Sequence, residues 1–215
     1  MLFRSLPDTD HELIITAGLK GSNGIGGRYL VSASYSIIDK MLFYHSLVRY
    51  PSGGPINPPP EFGNYFMPSA DIGNIFNLHG EINGKITDKL SFNGKANIYN
   101  YEFENKPWNK PAWDAKFGLD YNLRDKILAG VELTSIGKRT NAIFNDRGWW
   151  GGMFSGFDEI EEPMHVNLNL KAEYRYTKIL SFWLKFNNIS FKDYYEWAFY
   201  PSHRFMFMAG FSYSL

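Results

Sequence analysis

The charge balance and composition of this 215-residue chain exclude several functions at once. Its 22 lysines and arginines offset 22 aspartates and glutamates, so no basic surface argues for nucleic-acid binding. The chain has no cysteine, which excludes a disulfide framework and thiolate chemistry. No apolar run approaches the roughly 18 residues of a membrane-spanning helix, so a helical membrane protein is excluded as well.

Apolar and polar residues alternate along most of the chain, and a period of two predicts β-strands with two different faces. The alternation predicts about ten strands, at 13–20, 29–37, 41–48, 72–86, 90–98, 113–122, 127–134, 164–176, 180–187 and 205–215. Asp39 and Lys40 are interpreted as a tight turn, and the proline-rich segment 49–70 as a long loop. A second long loop is predicted at 141–163.

The connections between the predicted strands alternate between short and long. Short turns are predicted at 38–40, 87–89, 123–126 and 177–178, and long loops at 49–71, 102–111, 141–163 and 190–202. Short turns at one end and long loops at the other are typical of outer-membrane barrels. The turn at 21–27 is an exception, because it is short but belongs to the long-loop side.

Strand length and aromatic placement separate a barrel from a soluble β-sandwich. Strands of about 10 to 14 residues are long for a sandwich and match a tilted span of a bilayer. Five tyrosines are interpreted as an interfacial girdle beside the short turns: Tyr35, Tyr121, Tyr174, Tyr176 and Tyr213. Three tryptophans lie on the long-loop side: Trp108, Trp113 and Trp197. The sequence therefore predicts an all-β, antiparallel transmembrane barrel rather than a sandwich.

In such a barrel the apolar side of each strand faces lipid and the ionised side faces the lumen. The residues predicted to face lipid are Phe117, Leu119, Val166, Leu168, Leu170, Phe182 and Leu184.

The final strand, 205–215, alternates aromatic and smaller residues and ends on its apolar face. It resembles the C-terminal strand of bacterial outer-membrane barrels, whose last aromatic residues are recognised by the barrel-assembly machinery. The resemblance implies that Phe211, Tyr213 and Leu215 form an assembly signal.

Several longer stretches resemble the C-terminal half of TonB-dependent outer-membrane receptors. They are FGNYFMPSADIGNIFNLHGEING, ENKPWNKPAWDAKFGLDYNLRDKILAGVEL, the IGKR that follows, and NNISFKDYYEWAFYPSHRFMFMAGFSYSL. The order of three motifs carries most of the resemblance: Asn187–Asn188–Ile189, then Asp193–Tyr194–Tyr195–Glu196, then an aromatic closing strand.

This resemblance implies a role in importing a scarce nutrient, of unnamed identity, across the Gram-negative outer membrane. Residues 1–215 would form a single segment of a 22-strand barrel that contacts outer-membrane lipid. The TonB system would act through a plug domain for which this sequence has no counterpart. The alternative is a complete small barrel with a structural or adhesive role.

Residues that could carry chemistry form no recognisable catalytic or metal site. The histidines are scattered, and His79 and His165 are predicted to line the barrel. No G-x-S-x-G nucleophile elbow occurs, so the chain is predicted not to be an enzyme and to need no cofactor or metal. Carboxylates within 158–162 could bind a hard cation, but a solvated loop is the favoured interpretation.

The loop at 149–157 has the most unusual composition. Its exposed aromatic residues are a candidate ligand or partner surface, consisting of Trp149, Trp150, Phe154 and Phe157. Aromatic faces can stack on sugars or pack against a lid such as a surface lipoprotein. The alternative is that the loop packs onto its own barrel.

Overall fold

The computed structural model describes residues 10–23, 26–49, 61–146 and 156–214, and these ranges are all-β, as predicted. Within them no helix is long and apolar enough to cross a membrane. The strands are β1 (Asp10–Asn23), β2 (Gly27–Arg49), β3 (Glu61–Lys85), β4 (Leu90–Phe103), β5 (Trp113–Leu123), β6 (Ile127–Ile136), β7 (Arg139–Asp146), β8 (Gly156–Glu162), β9 (His165–Arg175), β10 (Leu180–Asn187), β11 (Tyr195–Trp197), β12 (Tyr200–Pro201) and β13 (Met206–Tyr213).

Nine of these strands form one continuous antiparallel sheet, which we call the wall. Its order is β1-β2-β3-β4-β5-β6-β9-β10-β13, so neighbours in the wall are also successive wall strands along the chain. The β7–β8 hairpin branches from the wall, because β7 pairs in parallel with the far end of β2. In the described ranges β1 and β13 each pair with a single neighbour, so they are the two edges of the wall.

The predicted turn at Asp39–Lys40 is wrong, because β2 continues through it as one strand of 23 residues. The pairing of β2 with β3 instead shifts register between Ile38 and Met41, which is a β-bulge. Extra residues in a bulge change which side chains face each side. This change explains the blurred alternation that made 41–48 resemble a separate strand.

The predicted loops also contain strands. β3 begins at Glu61, and Pro68 lies inside it, opposite Tyr44 of β2. Proline is tolerated there because β3 pairs with β4 only from Gly73 onward, which leaves the earlier part of β3 at a sheet edge. The predicted loop 141–163 likewise contains most of β7 and all of β8.

With the false turn removed, the short connections between successive wall strands all lie at one end of the wall. The connection between β1 and β2 and the turns at 86–89, 124–126 and 176–179 lie at this short-turn end, where β13 also ends. The longer connections lie at the opposite, long-loop end. Tyr35 is consequently not beside a short turn, since it lies mid-strand opposite Ile15 and Phe76.

Cross-strand register gathers the apolar residues onto one face of the wall, which we call the outer face. Residues that lie directly opposite in neighbouring strands share a face. One row runs through Leu119, Val131, Leu170, Phe186 and Phe207, and a second through Phe117, Leu133 and Leu168. Many of these side chains are exposed, Val131 at 42% among them. The outer face is therefore a broad apolar surface without a covering layer among the described residues.

Buried apolar residues lie instead at the long-loop end. Ile38, Met41 and Phe43 form one cluster, against which Phe103 and Trp108 pack. Ile143 of β7 and Ala198 form a second cluster. The buried apolar core of the described residues therefore lies at the long-loop end, beside the extended ends of β2 and β3, and not within the wall.

Two glycines of β3 offer a matched test of packing near the bulge. A Cβ on Gly73 would overlap the backbone carbonyl oxygen of Glu102 on β4, whereas a Cβ on Gly80 meets no atom within 4 Å. We expect Gly73→Ala to lower the free energy of unfolding by about 1–3 kcal/mol, because backbone must move. Gly80→Ala should be neutral or slightly stabilising. Denaturant unfolding of both variants in detergent measures this, and equal costs would contradict the close approach of β4 to β3 at Gly73.

Candidate functional site at the long-loop end

Three branches converge at the long-loop end and form what we call the cap. They are residues 104–112, strands β7 and β8, and residues 188–205, which include β11 and β12. A buried hydrogen bond from Ser46 Oγ to the Ala198 carbonyl (3.0 Å) ties the third branch to β2. The backbone N–H of Asn109 donates to the Thr140 carbonyl (2.8 Å), which ties the first branch to β7.

Arg139 joins all three branches through one guanidinium group. Its Nη1 donates to Asn109 Oδ1 and to the Glu196 carbonyl, both at 3.2 Å, and its Nη2 donates to the Tyr195 carbonyl at 2.6 Å. The planar fork of arginine suits several fixed acceptors at once, which a lysine could not satisfy. The IGKR stretch picked out in the sequence therefore supplies the central tie of the cap.

Glu162 is the buried carboxylate that accompanies Arg139. The two residues lie opposite each other on β8 and β7, and Glu162 is only 7% exposed. Burial raises the pKa of Glu162, and the nearby Arg139 charge and a hydrogen bond with Asn141 oppose this only in part. Burial likewise lowers the pKa of Arg139. The pair therefore carries charge at a desolvation cost, which the single arginine offsets only in part.

The remaining sequence motifs of the cap have structural roles. Asn188 adopts a positive φ of 50° and its Nδ2 donates to the Lys192 and His203 carbonyls, which closes the corner after β10. Tyr194 stacks on His165 with ring centroids 3.7 Å apart. Asp193 forms an ion pair with Arg204 just before β13. The Asn-Asn and Tyr-Tyr motifs thus anchor the loop that leads into the final strand.

An aromatic cavity of about 290 Å³ lies beside the cap, between the long ends of β2 and β3 and the β11–β12 hairpin. Tyr44, Phe66, Pro68 and Trp197 line it. Trp197 makes edge contacts with Tyr44 and Phe66, at centroid distances of 6.4 and 5.5 Å. The loop at 188–205 is therefore fixed by aromatic packing as well as by polar ties.

The inner face of the wall carries ion pairs that cross strands. Lys171 of β9 bonds Asp120 of β5 at 2.7 Å, and the bond passes over Gly130 of β6. A Cβ on Gly130 would collide with the Lys171 side chain, so this row depends on the glycine. Lys116 pairs with Glu132 at 2.6 Å.

His79 belongs to a polar chain on the same inner face. Its Nδ1 lies 2.7 Å from Asn97 Oδ1, and Asn97 Nδ2 donates to Asp114 Oδ1 at 3.0 Å. His165 also lies on the inner face, at the start of β9. Both histidines therefore lie on the polar face of the wall, as the alternation predicted. No cluster of three metal-ligating side chains occurs in the ranges that the structure describes.

The remaining candidate residues fall into two groups, those on the outer face and those outside the described residues. All seven predicted lipid-facing residues lie on the outer face, as do Phe211 and Tyr213. Trp149, Trp150, Phe154 and Leu215, and the side chain of Phe157, lie outside the described residues.

The acidic run at 158–162 is not a solvated loop, because it belongs to β8 and pairs with β7. Its carboxylates are shared among different cations. Glu159 bonds Lys106 at 2.6 Å, and Glu161 lies 3.7 Å from Lys138. Glu162 lies opposite Arg139 in the pairing of β8 with β7, and the Arg139 charge acts on its carboxyl. The pairing with β7, and not the composition of the run, makes it a strand.

The raised pKa of Glu162 makes the cap sensitive to pH. The folded carboxyl holds its proton more tightly than the unfolded one, whose pKa is 4.5, so its contribution to stability falls as pH rises above 4.5. Burial lowers the pKa of His45, and this has the opposite sign. We therefore expect the difference in protection between the parent chain and Glu162→Gln to change with pH. Hydrogen exchange of β7 and β8, corrected for intrinsic rates, measures this. Glu159→Gln is the exposed control, and an identical slope in Glu162→Gln and the parent would contradict the prediction.

No family model matches the chain, and no curated protein matches it in sequence. Solved structures do match in fold. The ferripyoverdine receptor of the outer membrane of Pseudomonas aeruginosa is 18% identical with a TM-score of 0.63, and the match covers 93% of this chain and 26% of the receptor. The siderophore receptor PirA from Acinetobacter baumannii is 10% identical with a TM-score of 0.67, covering 94% and 31%. The copper transporter OprC is 17% identical with a TM-score of 0.66, covering 94% and 32%.

These matches extend over nearly all of this chain but only about a quarter to a third of the length of each matched protein. One of the three matched proteins is a receptor of the outer membrane, as its name states. The fold prediction is confirmed: the chain has the fold of part of the β-barrel wall of TonB-dependent outer-membrane receptors.

Proposed function

We propose that the chain forms the C-terminal part of the barrel wall of an import receptor whose cargo is a metal chelate. The observation that carries the proposal is the number and direction of the wall strands. In the described ranges the wall has nine strands, and each runs antiparallel to its neighbours. Because nine is odd, the first and last strands, β1 and β13, run in the same direction, from the long-loop end toward the short-turn end. Direct pairing of these two edges would therefore be parallel.

Open edges are the strongest constraint on a sheet in a bilayer. Unpaired backbone N–H and C=O groups are not tolerated in hydrocarbon, and bacterial single-chain barrels close with an even number of antiparallel strands. Self-closure of the nine strands, or closure with a second copy, would require parallel seams. An odd number of additional strands gives antiparallel seams on both sides. A larger barrel, in which this wall is one segment, satisfies that requirement and a complete small barrel does not.

The two faces of the wall support the same proposal. The outer face is apolar and exposed, which suits contact with outer-membrane lipid. The inner face carries ionised residues of both signs with half-exposed ion pairs such as Lys171–Asp120. Such residues suit a wide, wet lumen, since a narrow packed interior would require every charge to be paired.

The remaining roles follow from the same fold. The proteins with this fold include receptors for siderophores and a copper transporter, which favours a metal chelate as the cargo class. The energy for transport would come from the TonB system acting on a plug domain in the lumen. The barrel-assembly machinery would insert the barrel into the outer membrane. The proposed role is transport, without catalysis, and the cap is the part of this chain that would meet cargo or a surface lipoprotein.

Lipid contact at the outer face can be tested with one strand. Val131→Arg, in the middle of β6 between Leu119 and Leu170, should cost about 2–4 kcal/mol of folding into vesicles. Thr134→Arg is the control, since Thr134 lies on the inner face of the same strand between Lys116 and Asn167. Asn169 is unsuitable as a control because its Oδ1 accepts the backbone N–H of Asn188. Similar costs for the two arginines, measured by urea titration in vesicles, would contradict lipid contact.

The strand-number argument can be tested in a chimera. Residues 10–214 replace the matching wall of the P. aeruginosa ferripyoverdine receptor, and we expect a heat-modifiable, protease-resistant barrel in the outer membrane. A control graft that begins at Gly27 omits β1, so the direction at the seam is reversed and assembly should fail. Equal assembly of the two grafts would contradict the proposal.

A second readout of the chimera is growth on ferripyoverdine under iron limitation. Growth would support the import role and the cargo class together. Assembly without growth would leave the wall proposal standing and contradict import of this chelate through the grafted wall.

A further inference from the structure

Two lysines lie directly opposite each other on the inner face of the wall. Lys171 of β9 and Lys185 of β10 are register partners, so their Cβ atoms are about 4.5–5.5 Å apart. Like charges in such a pair repel and destabilise the sheet unless an anion offsets them. The arrangement therefore needs a countercharge on the lumen side.

Carboxylates of the wall provide only part of that countercharge. Asp120 bonds Lys171 at 2.7 Å, and Glu173 bonds Arg175 at 3.1 Å. Among the described residues Lys185 forms no ion pair, and its Nζ lies 5.6 Å from the ring centroid of Trp183. One lysine of the facing pair is thus held over an aromatic ring and remains available to an anion.

Packing beneath these side chains holds them in place around a cavity. Trp183 lies against Gly210 of β13, where any Cβ would collide with the indole ring. Gly130 plays the same part beneath Lys171 and Asp120. The cavity measures about 530 Å³, and its inner-face lining includes Ser91, Asp120, Lys171, Glu173, Trp183 and Lys185.

We propose that this cavity binds a soluble oxyanion, a carboxylate or phosphate, at the ammonium group of Lys185. Charge-assisted hydrogen bonds from an ammonium group suit such an oxyanion, and Lys171 on the neighbouring strand adds positive charge nearby. The indole face of Trp183 forms one side of the site, and Ser91 offers a hydroxyl at the other. The proposal stands on the inner face alone and does not depend on the identity of the transported cargo.

Trp183 itself provides the reporter for a test on the chimera that carries residues 10–214, purified from outer membranes in detergent. Its emission is taken as the difference between the parent chain and Trp183→Phe. Iodide probes the local positive potential, and neutral acrylamide probes access alone. Lys185→Gln should lower the iodide quenching constant of Trp183 about threefold and leave acrylamide quenching unchanged. Lys185→Arg should retain the parent value.

Phosphate distinguishes binding from a general positive field. At constant ionic strength, millimolar sodium phosphate should reduce iodide quenching of Trp183 in the parent chain and have no effect in Lys185→Gln. Lys95→Gln is the matched control, because Lys95 is an inner-face lysine that also lies opposite a lysine, Lys116, on other strands. It should leave quenching at the parent value.

Three results would overturn the proposal. If phosphate leaves iodide quenching unchanged, the lysine pair raises the local potential without binding an oxyanion. If Lys95→Gln lowers quenching as much as Lys185→Gln, the effect belongs to the whole inner face. If Lys185→Gln changes acrylamide quenching to the same extent as iodide quenching, the substitution has moved the indole.

Discussion

The alternation of side chains along a β-strand is the constraint on which the rest of this structure depends. Successive residues point to opposite faces, and antiparallel register then aligns each residue with partners on both neighbouring strands. A single apolar row such as Leu119–Val131–Leu170 is therefore a property of three strands at once. One slip of register would bring ionised residues to the outer face, so each pairing supports the next.

Glycines on the inner face allow long side chains of neighbouring strands to lie flat across it. Gly130 lies between Asp120 and Lys171, and Gly210 lies beside Trp183, so a long side chain can lie flat across the neighbouring strand. Glycine weakens a strand taken alone, because its backbone loses more freedom on folding. Here the loss is offset by an ion pair and by aromatic packing. The same glycines therefore shape both the stability of the wall and the cavity between Lys171 and Lys185.

Strands with unbroken alternation were predictable from the sequence, and strands made by tertiary pairing were not. β9 begins and ends within one residue of its predicted bounds, and β10 coincides with its predicted bounds. β8 carries the acidic run at 158–162 and has no apolar alternation to reveal it, so its pairing with β7 depends on contacts distant in the chain. Arg139 shows the same limit at the cap. Its IGKR stretch was visible in the sequence, but its acceptors come from Asn109 and from residues about 56 positions later.

The bulge in β2 determines the number of strands in the wall, so an error in predicting it changes the predicted architecture. A turn at Asp39–Lys40 divides β2 into two strands and makes ten, and a wall of ten antiparallel strands can close on itself. The continuous β2 makes nine, and the two edges of the wall then run in the same direction. The distinction between a self-contained barrel and a segment of a larger one thus depends on whether two polar residues turn the chain or sit in a bulge. The position of the short connections supports the bulge, because the connection between β1 and β2 then joins the other short turns at one end.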